Sequence, residues 1–148
     1  MTLLGKQAPE FTLPNEKNEQ VSLSTKKGKK VLLVFYPGDE TAVCTEQLCS
    51  YNSGFEDFQK LGVEILGINS DSVESHKKFS DKYKFSFSLL SDPTSEVCKK
   101  YNAVGLFGKT KRSTFLIDES GKIIFENEIF PLFYKDKTAI LTEIQKLI

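Results

Sequence analysis

The chain has 148 residues, with 20 basic and 20 acidic side chains, three cysteines and one histidine. This length is typical of one domain with a substantial core, and we expect a single domain over residues 1–148. The balanced charge disfavours nucleic-acid binding and attachment to a membrane surface, and no apolar run reaches the roughly 18 residues of a membrane helix. Three cysteines are too few for a disulfide-stapled secreted scaffold, and no apolar signal segment follows Met1. We therefore expect a reducing, cytoplasmic location.

The first half of the chain alternates between apolar strands and a helical pattern. Short strands are predicted near residues 11–13 and 21–23. The continuous apolar run 31–36 predicts a strand that is buried on both faces. Over 42–60, large side chains suited to packing recur every three or four residues, at Leu48, Tyr51, Phe55 and Phe58, which predicts a helix. A second buried strand follows at 63–68, so this region indicates a βαβ unit with parallel strands.

The second half predicts further helices and a β-hairpin. Asp71 and Ser72 are placed to cap a helix that runs to about Tyr83. The remaining predicted elements are a strand at 88–90, a helix through Val97 to about Tyr101, a hairpin at 112–126 that turns at 119–122, and a helix from about Lys135 with Ile140, Leu141, Ile144 and Leu147 on its inner face. This order predicts an α/β protein with a mixed central sheet and helices on both faces, compatible with a thioredoxin-like fold.

The segment from Phe35 to Cys49 carries the clearest chemical signal. Cys44 lies beyond the carboxyl end of a central strand and at the start of the next helix. A thiolate there is stabilised by free backbone N–H groups and by the positive end of the helix dipole, which makes a cysteine nucleophilic at neutral pH. Cys49 follows five residues later. The pair suggests redox chemistry in which one sulfur attacks and the other resolves.

Helix geometry constrains how these two cysteines can react. Two positions five apart on an ideal helix have Cα atoms about 8.6 Å apart. A disulfide needs roughly 4.4–6.8 Å. A bond between Cys44 and Cys49 therefore requires local unwinding of the helix. Spacing alone leaves open that Cys49 is only a core cysteine.

Several neighbouring polar residues have both a chemical and a structural interpretation. The Thr41 hydroxyl can cap the helix or reach the sulfur and an oxygen-bearing substrate. Pro37 terminates the strand, and it can also fix the turn into the loop and shield one side of it. Arg112 can stabilise a thiolate or be an exposed charge at a strand end. Asp39 and Glu40 would disfavour a thiolate unless their side chains point away.

The remaining cysteine and the histidine receive structural interpretations. Cys98 is predicted to be a structural residue on a short helix, with a secondary possibility as a resolving thiol. His76 lies among Ser75, Lys77 and Lys78 and is predicted to be a solvated helix residue. Zinc binding by Cys44, Cys49, Cys98 and His76 has little support, because the C-x4-C pair has no second close pair. A Cys–His hydrolase also has little support, because the single histidine is far from Cys44 in sequence.

The segment from Pro37 to Cys44 also matches a known signature: Pro, three residues, Thr or Ser, two residues, Cys. The chain thus resembles the peroxiredoxins, and among them the bacterioferritin comigratory protein, or peroxiredoxin Q, group. The similarity spans nearly the whole chain. Further matching segments are Gly5 to Pro14, Val34 to Pro37, Cys44 to Cys49, Leu90 to Asp92 and Arg112 to Asp118.

The resemblance implies a thiol-dependent peroxidase on a thioredoxin-like scaffold, with no metal or organic cofactor. By this resemblance Cys44 is the peroxidatic cysteine and Cys49 resolves its sulfenic acid as an intramolecular disulfide. Thr41 and the Cys44 backbone N–H would position the peroxide. Arg112 would stabilise the charged groups, and Gln47 would support Arg112 and the loop.

The resemblance also implies partners. The substrates would be hydrogen peroxide and organic hydroperoxides, and thioredoxin or a similar dithiol would restore both thiols. Members of this group are often monomers, which is our expectation here, without nucleic-acid or membrane partners. Three alternatives stay open. They are a thiol–disulfide oxidoreductase, whose C-x-x-C motif is absent, a redox-sensing binding module, and a zinc-binding structural domain.

Overall fold

The computed structural model describes residues 2–129 and 133–148, and its largest feature is a five-stranded sheet with the strand order β5-β4-β3-β6-β7. Short 3-10 turns cover Leu23–Lys26 and Leu106–Gly108. The strands and helices are β1 (Thr12–Pro14), β2 (Gln20–Ser22), β3 (Lys30–Phe35), α1 (Ala42–Ser53), α2 (Phe55–Lys60), β4 (Val63–Asn69), α3 (Val73–Tyr83), β5 (Ser88–Ser91), α4 (Glu96–Lys100), β6 (Ser113–Ile117), β7 (Ile123–Glu128) and α5 (Lys137–Leu147).

The sheet is mixed, as the order of predicted elements indicated. β3 lies at its centre, parallel to β4 and antiparallel to β6, so that Leu33 faces Leu66 on one side and Phe115 on the other. β5 continues the parallel half, and β7 closes the other half as a hairpin partner of β6. β1 and β2 form a separate antiparallel pair. The carboxyl ends of β3 and β4 thus meet at one edge, where open α/β sheets place their sites.

Each face of the sheet is covered by its own core. Alternate residues of a strand point to opposite faces, which explains why the apolar run of β3 is continuous. Val31, Leu33 and Phe35 lie in one core, together with α4. Leu32 and Val34 lie in the other core, together with α1, α3 and α5. The predicted α/β thioredoxin-like architecture, with helices on both faces, is confirmed.

The structure corrects two predictions about helices. The predicted helix over 42–60 is divided into α1 and α2 at Gly54. A Cβ atom at Gly54 would lie 2.8 Å from the side chain of Lys137, so the glycine permits the close approach of α5. In α5, Ile140 and Ile144 are buried as predicted, whereas Leu147 is 44% exposed, because the core ends before the last helical turn.

Among the described residues, no helix is both long and apolar enough to span a bilayer.

Candidate active site

Cys44 is the third residue of α1, directly after the loop that leaves β3. Thr41 is the N-cap, and the side chain of Cys44 is buried, with an exposed fraction of 0%. The backbone N–H groups of the first helical turn have no acceptor within the helix. The cysteine therefore lies at the electropositive end of α1, as the sequence predicted.

The guanidinium of Arg112 lies against the Cys44 sulfur. Its Nη2 donates to Cys44 Sγ at 3.2 Å, although 68 residues separate the two along the chain. The sheet explains the contact: Ser113 at the start of β6 pairs with Phe35 at the end of β3, so the residue before β6 lies beside the loop after β3. Arg112 is only 2% exposed. The predicted contact is confirmed, and the interpretation as an exposed strand-end charge is wrong.

Gln47 and Tyr51 hold the guanidinium in this orientation. Arg112 Nη1 donates to Gln47 Oε1 at 2.5 Å, and Gln47 Nε2 donates to the Tyr51 hydroxyl oxygen at 3.1 Å. The Tyr51 hydroxyl in turn donates to the Lys135 carbonyl at 2.9 Å. Burial raises the pKa of Tyr51 to about 12, so it remains a donor. Sequence reasoning gave Tyr51 only a packing role, although its position four residues after Gln47 places both on one helix face.

A cation therefore contacts the Cys44 sulfur in a buried site. Arg112 is permanently cationic, and an opposite charge beside an ionisable group stabilises its ionised form. The contact is shielded from bulk water, which strengthens the attraction. The site can therefore hold a thiolate with hydrogen-bond donors around it, which is the arrangement that nucleophilic attack on an oxygen-containing substrate needs.

Thr41 does not cap α1 with its side chain. Its hydroxyl donates to the Gly38 carbonyl at 3.0 Å, within the loop, and no side chain in the described structure caps this helix start. The capping interpretation is therefore wrong, and the first-turn N–H groups remain available to a ligand. Thr41 is exposed and Pro37 is half-buried.

The two acidic residues of the loop are bound to α3. Asp39 accepts hydrogen bonds from Tyr36 and Ser75 and lies 2.7 Å from His76 Nδ1, and Glu40 forms an ion pair with Lys82 at 3.0 Å. These contacts hold both carboxylates on the α3 side of the loop.

His76 is fully buried in α3, so its interpretation as a solvated helix residue is wrong. One signal in the sequence was available: His76 precedes the buried Phe79 by three residues and thus shares the inner face of α3. The neighbouring Lys77 and Lys78 outweighed this signal, because charged residues are typical of a solvent-exposed helix face.

The other two cysteines occupy different environments. Cys49 is half-buried on the same continuous helix as Cys44, and burial raises its pKa. Both cysteines lie within α1 and no disulfide joins them, so the helical placement behind the distance argument is confirmed. Cys98 is buried in α4, and its N–H donates to the Asp92 carboxylate at 2.8 Å. Burial and the nearby Asp92 raise the pKa of Cys98 to about 12, which opposes a reactive thiolate there.

Within residues 2–129 and 133–148, no group of three or more His, Cys, Asp or Glu side chains is arranged to hold a metal ion.

Comparison with known proteins places the chain in a family. The AhpC/TSA family model matches residues 4–126. The peroxiredoxin bcp of Coxiella burnetii is 45% identical over 127 residues, which cover 81% of this chain and 84% of that protein. The chloroplastic peroxiredoxin Q of Sedum lineare is 41% identical over 143 residues, covering 94% of this chain and 77% of that one.

A solved structure agrees with these relatives. The bacterioferritin comigratory protein of Xanthomonas campestris matches with a TM-score of 0.84 at 28% identity, and the match covers 93% of this chain and 91% of that chain. The signature around Cys44, the thioredoxin-like sheet and these similarities lead to one conclusion: the chain belongs to the AhpC/TSA family, among relatives named bcp and peroxiredoxin Q.

Proposed function

We propose that the chain is a thiol-dependent peroxidase in which the Cys44 thiolate attacks a peroxide. The observation that carries the proposal is the Arg112 guanidinium, 3.2 Å from Cys44 Sγ in a buried site at a helix start. The family and its peroxiredoxin relatives supply the reaction class. A buried cysteine paired with a cation is an unusual arrangement unless the thiolate is used.

In the first step, the thiolate attacks one oxygen of the peroxide and the O–O bond breaks. The sulfur becomes a sulfenic acid, and the other oxygen leaves with its electron pair and takes up a proton, giving water or an alcohol. Arg112 and the Cys44 backbone N–H donate to the charge that develops on the two oxygens. Thr41 is proposed to bind the peroxide by exchanging its hydrogen bond to Gly38. Pro37 is proposed to shield the loop, and Gln47 to hold Arg112.

In the second step, the Cys49 thiol condenses with the sulfenic acid, releasing water and forming a disulfide. The first turns of α1 must unwind, because an intact helix holds the two Cα atoms about 8.6 Å apart. The residues just after Cys49 are fixed to the rest of the protein. Ser50 accepts from Lys137 N at 3.0 Å, and Asn52 bonds both Lys84 and Ser86. We therefore expect the unwinding to stop near Cys49.

In the third step, an external dithiol reduces the disulfide by exchange and restores both thiols. Thioredoxin or a similar protein is the proposed reductant, and the enzyme is proposed to act as a cytoplasmic monomer. Hydrogen peroxide and organic hydroperoxides are the proposed substrates. The Xanthomonas campestris relative, described for its alkyl peroxide reduction activity, supports the organic class.

A coupled assay tests the function. Thioredoxin, thioredoxin reductase and NADPH are combined with the protein, and NADPH oxidation is followed after addition of hydrogen peroxide or an alkyl hydroperoxide. We expect continuous turnover that depends on the protein. A redox-sensing module would instead be oxidised once, in a stoichiometric amount. Turnover with dithiothreitol but not with thioredoxin would refute only the choice of reductant. Light scattering of the reduced and oxidised forms tests the monomer.

A further inference from the structure

The buried histidine makes two hydrogen bonds that tie three parts of the protein together. His76 on α3 has an exposed side-chain fraction of 0%, and Asp39 in the loop before α1 has 3%. His76 Nδ1 lies 2.7 Å from Asp39 Oδ2. His76 Nε2 lies 3.0 Å from the Leu90 carbonyl oxygen on β5. The ring therefore connects the loop between β3 and α1 with β5, the edge strand of the sheet.

These contacts define the charge of the ring. A carbonyl oxygen can only accept, so His76 Nε2 carries a proton. The other partners of the Asp39 carboxylate are donors, namely the hydroxyls of Tyr36 at 2.6 Å and Ser75 at 2.7 Å and the amide of Asn69 at 3.4 Å. Burial by itself raises the pKa of Asp39, but the hydrogen bond and the charge of His76, together with the hydrogen bonds from Tyr36 and Ser75, lower it overall. An ionised Asp39 accepts from Nδ1 as well, and a ring that donates through both nitrogens is an imidazolium.

The loop that this ion pair holds has a strained backbone. Glu40, between Asp39 and the N-cap Thr41, has a φ of 57° in the left-handed region, which residues with a Cβ rarely adopt. Such a conformation persists only where neighbouring contacts enforce it. The Glu40–Lys82 pair is largely exposed, and exposed pairs contribute little. Asp39 makes the buried contacts that hold the loop. Its carboxylate contacts His76, and its N–H donates to Asp71 Oδ2 at 2.7 Å.

We propose that His76 is a positioning residue for the peroxidase reaction: its imidazolium fixes Asp39 and the loop that starts α1, and it cancels the Asp39 charge near the Cys44 thiolate. The inference rests on the function proposed above. Without the imidazolium, Asp39 would add an uncompensated negative charge beside a site that must hold a second one. The titratable groups that contact the pair are Tyr36 from the end of β3 and Asp71 from the loop after β4, while Leu90 on β5 offers only its carbonyl. Burial raises the pKa of Tyr36, and the charges of Asp39, Asp71 and Cys44 raise it further, so Asp39 and Cys44 both lie near this side chain.

A direct measurement of the ring tests the first half of the proposal. The chain contains one histidine, so ¹⁵N-histidine labelling gives one unambiguous imidazole spectrum. In the reduced wild-type protein at neutral pH, we expect both ring nitrogens to carry protons. A spectrum of a neutral tautomer would overturn the proposal. This measurement needs no variant and no activity, so it stays decisive if a substituted protein does not fold.

Two variants test the effect on the thiolate. His76→Gln removes the positive charge but keeps a donor amide. We expect the pH midpoint of iodoacetamide alkylation, followed at the Cys44 peptide by mass spectrometry, to rise by about one pH unit, the size of effect that one neighbouring charge commonly has. The rate of the first turnover with peroxide should fall in parallel. The double variant His76→Gln with Asp39→Asn removes both charges, and it should return the midpoint toward the wild-type value.

Glu40→Gln is the matched control, since it removes an exposed ion pair from the same loop without touching His76. It should leave the midpoint unchanged. A merely structural role for His76 would lower the stability and leave the midpoint of His76→Gln at the wild-type value, and that result overturns the proposal. A double variant whose midpoint is no closer to wild type also overturns it. Absence of peroxidase turnover in the wild type would refute the proposed function. The ring spectrum and the alkylation midpoints do not depend on turnover, so they would still test the effect of His76 on Cys44.

Discussion

Cys44 and Cys98 occupy equivalent positions in two parts of the molecule and have opposite environments. Each is the third residue of a helix, and each has a side-chain exposed fraction of 0%. Arg112 donates to the sulfur of Cys44 at 3.2 Å. At Cys98 the neighbouring charge is the Asp92 carboxylate, which accepts the Cys98 N–H at 2.8 Å.

The comparison shows that a helix start does not by itself make a thiol reactive. Both cysteines have the first-turn N–H groups and the helix dipole nearby. In α4 the free N–H of Cys98 is taken by a carboxylate, and burial together with this charge raises the pKa of Cys98 to about 12. In α1 the side chain of Thr41 does not cap the first turn, and the charged group beside the sulfur is the Arg112 guanidinium instead of a carboxylate. The sign of the neighbouring charge separates the two sites.

The largest expected effect separates the two cysteines directly. Cys44→Ser should lower peroxidase turnover by at least about 10³-fold, as removal of a nucleophile does in other enzymes. Cys98→Ser should retain most of the activity, because Cys98 lies in the core on the opposite face of the sheet from Cys44, with its sulfur 3.7 Å from the Thr110 hydroxyl. The coupled assay measures both, and circular dichroism checks that each variant is folded. Substantial turnover in Cys44→Ser would refute the assignment of the nucleophile.

Cys49→Ser should stop steady turnover but spare the first one. The nucleophile and Arg112 are unchanged, so one equivalent of peroxide should still be consumed, after which Cys44 accumulates as sulfenic or over-oxidised acid. Peptide mapping of the wild-type protein after one equivalent of peroxide should find a Cys44–Cys49 bond within one chain. A Cys44–Cys98 bond or an intermolecular bond would show that Cys49 is structural.

Arg112→Ala should make the Cys44 site more like the Cys98 site. Loss of the cation should move the pH midpoint of Cys44 alkylation upward and lower kcat/KM by about 10²-fold, the typical effect of one lost charge-stabilising donor. Arg112→Lys is the matched control. Lysine keeps the positive charge but lacks the second donor with which the guanidinium reaches both the sulfur and Gln47. The alkylation midpoint of Arg112→Lys should therefore stay near the wild-type value, while its kcat/KM should lie between those of the wild type and Arg112→Ala. An unchanged midpoint in Arg112→Ala would leave the guanidinium a structural role only.

The smallest expected effect concerns the unreactive site. Asp92→Asn removes the charge beside Cys98 but keeps an acceptor for its N–H. The pKa of Cys98 should fall, by about one unit, while burial keeps it above the usual range for a thiol. Alkylation of Cys98 at alkaline pH in a Cys44→Ser, Cys49→Ser background measures this change. Peroxidase activity of Asp92→Asn with both other cysteines intact should equal that of the wild type, and a large loss would connect Cys98 to the reaction.

Local patterns predicted most of the elements that position the site. The continuous apolar runs predicted β3 and β4 within one or two residues, because a strand buried on both faces excludes polar side chains. Ser72 was predicted to cap α3, and its hydroxyl accepts from Ser75 N at 3.0 Å. The break at Gly54 was missed, since glycine is tolerated inside helices and only the approach of α5 gives it a purpose here.

The sequence by itself determined the fold class, the peroxiredoxin resemblance and the candidate nucleophile, because helix starts, strand ends and a short motif are local properties of the chain. The tertiary structure decided which charges meet. Arg112 reaches Cys44 only because β6 pairs with β3, and His76 is buried only because α3 packs over Asp39 and β5. Pairing across the sheet joins residues that are distant in sequence, and no local pattern records the sign of the charge that such a partner supplies.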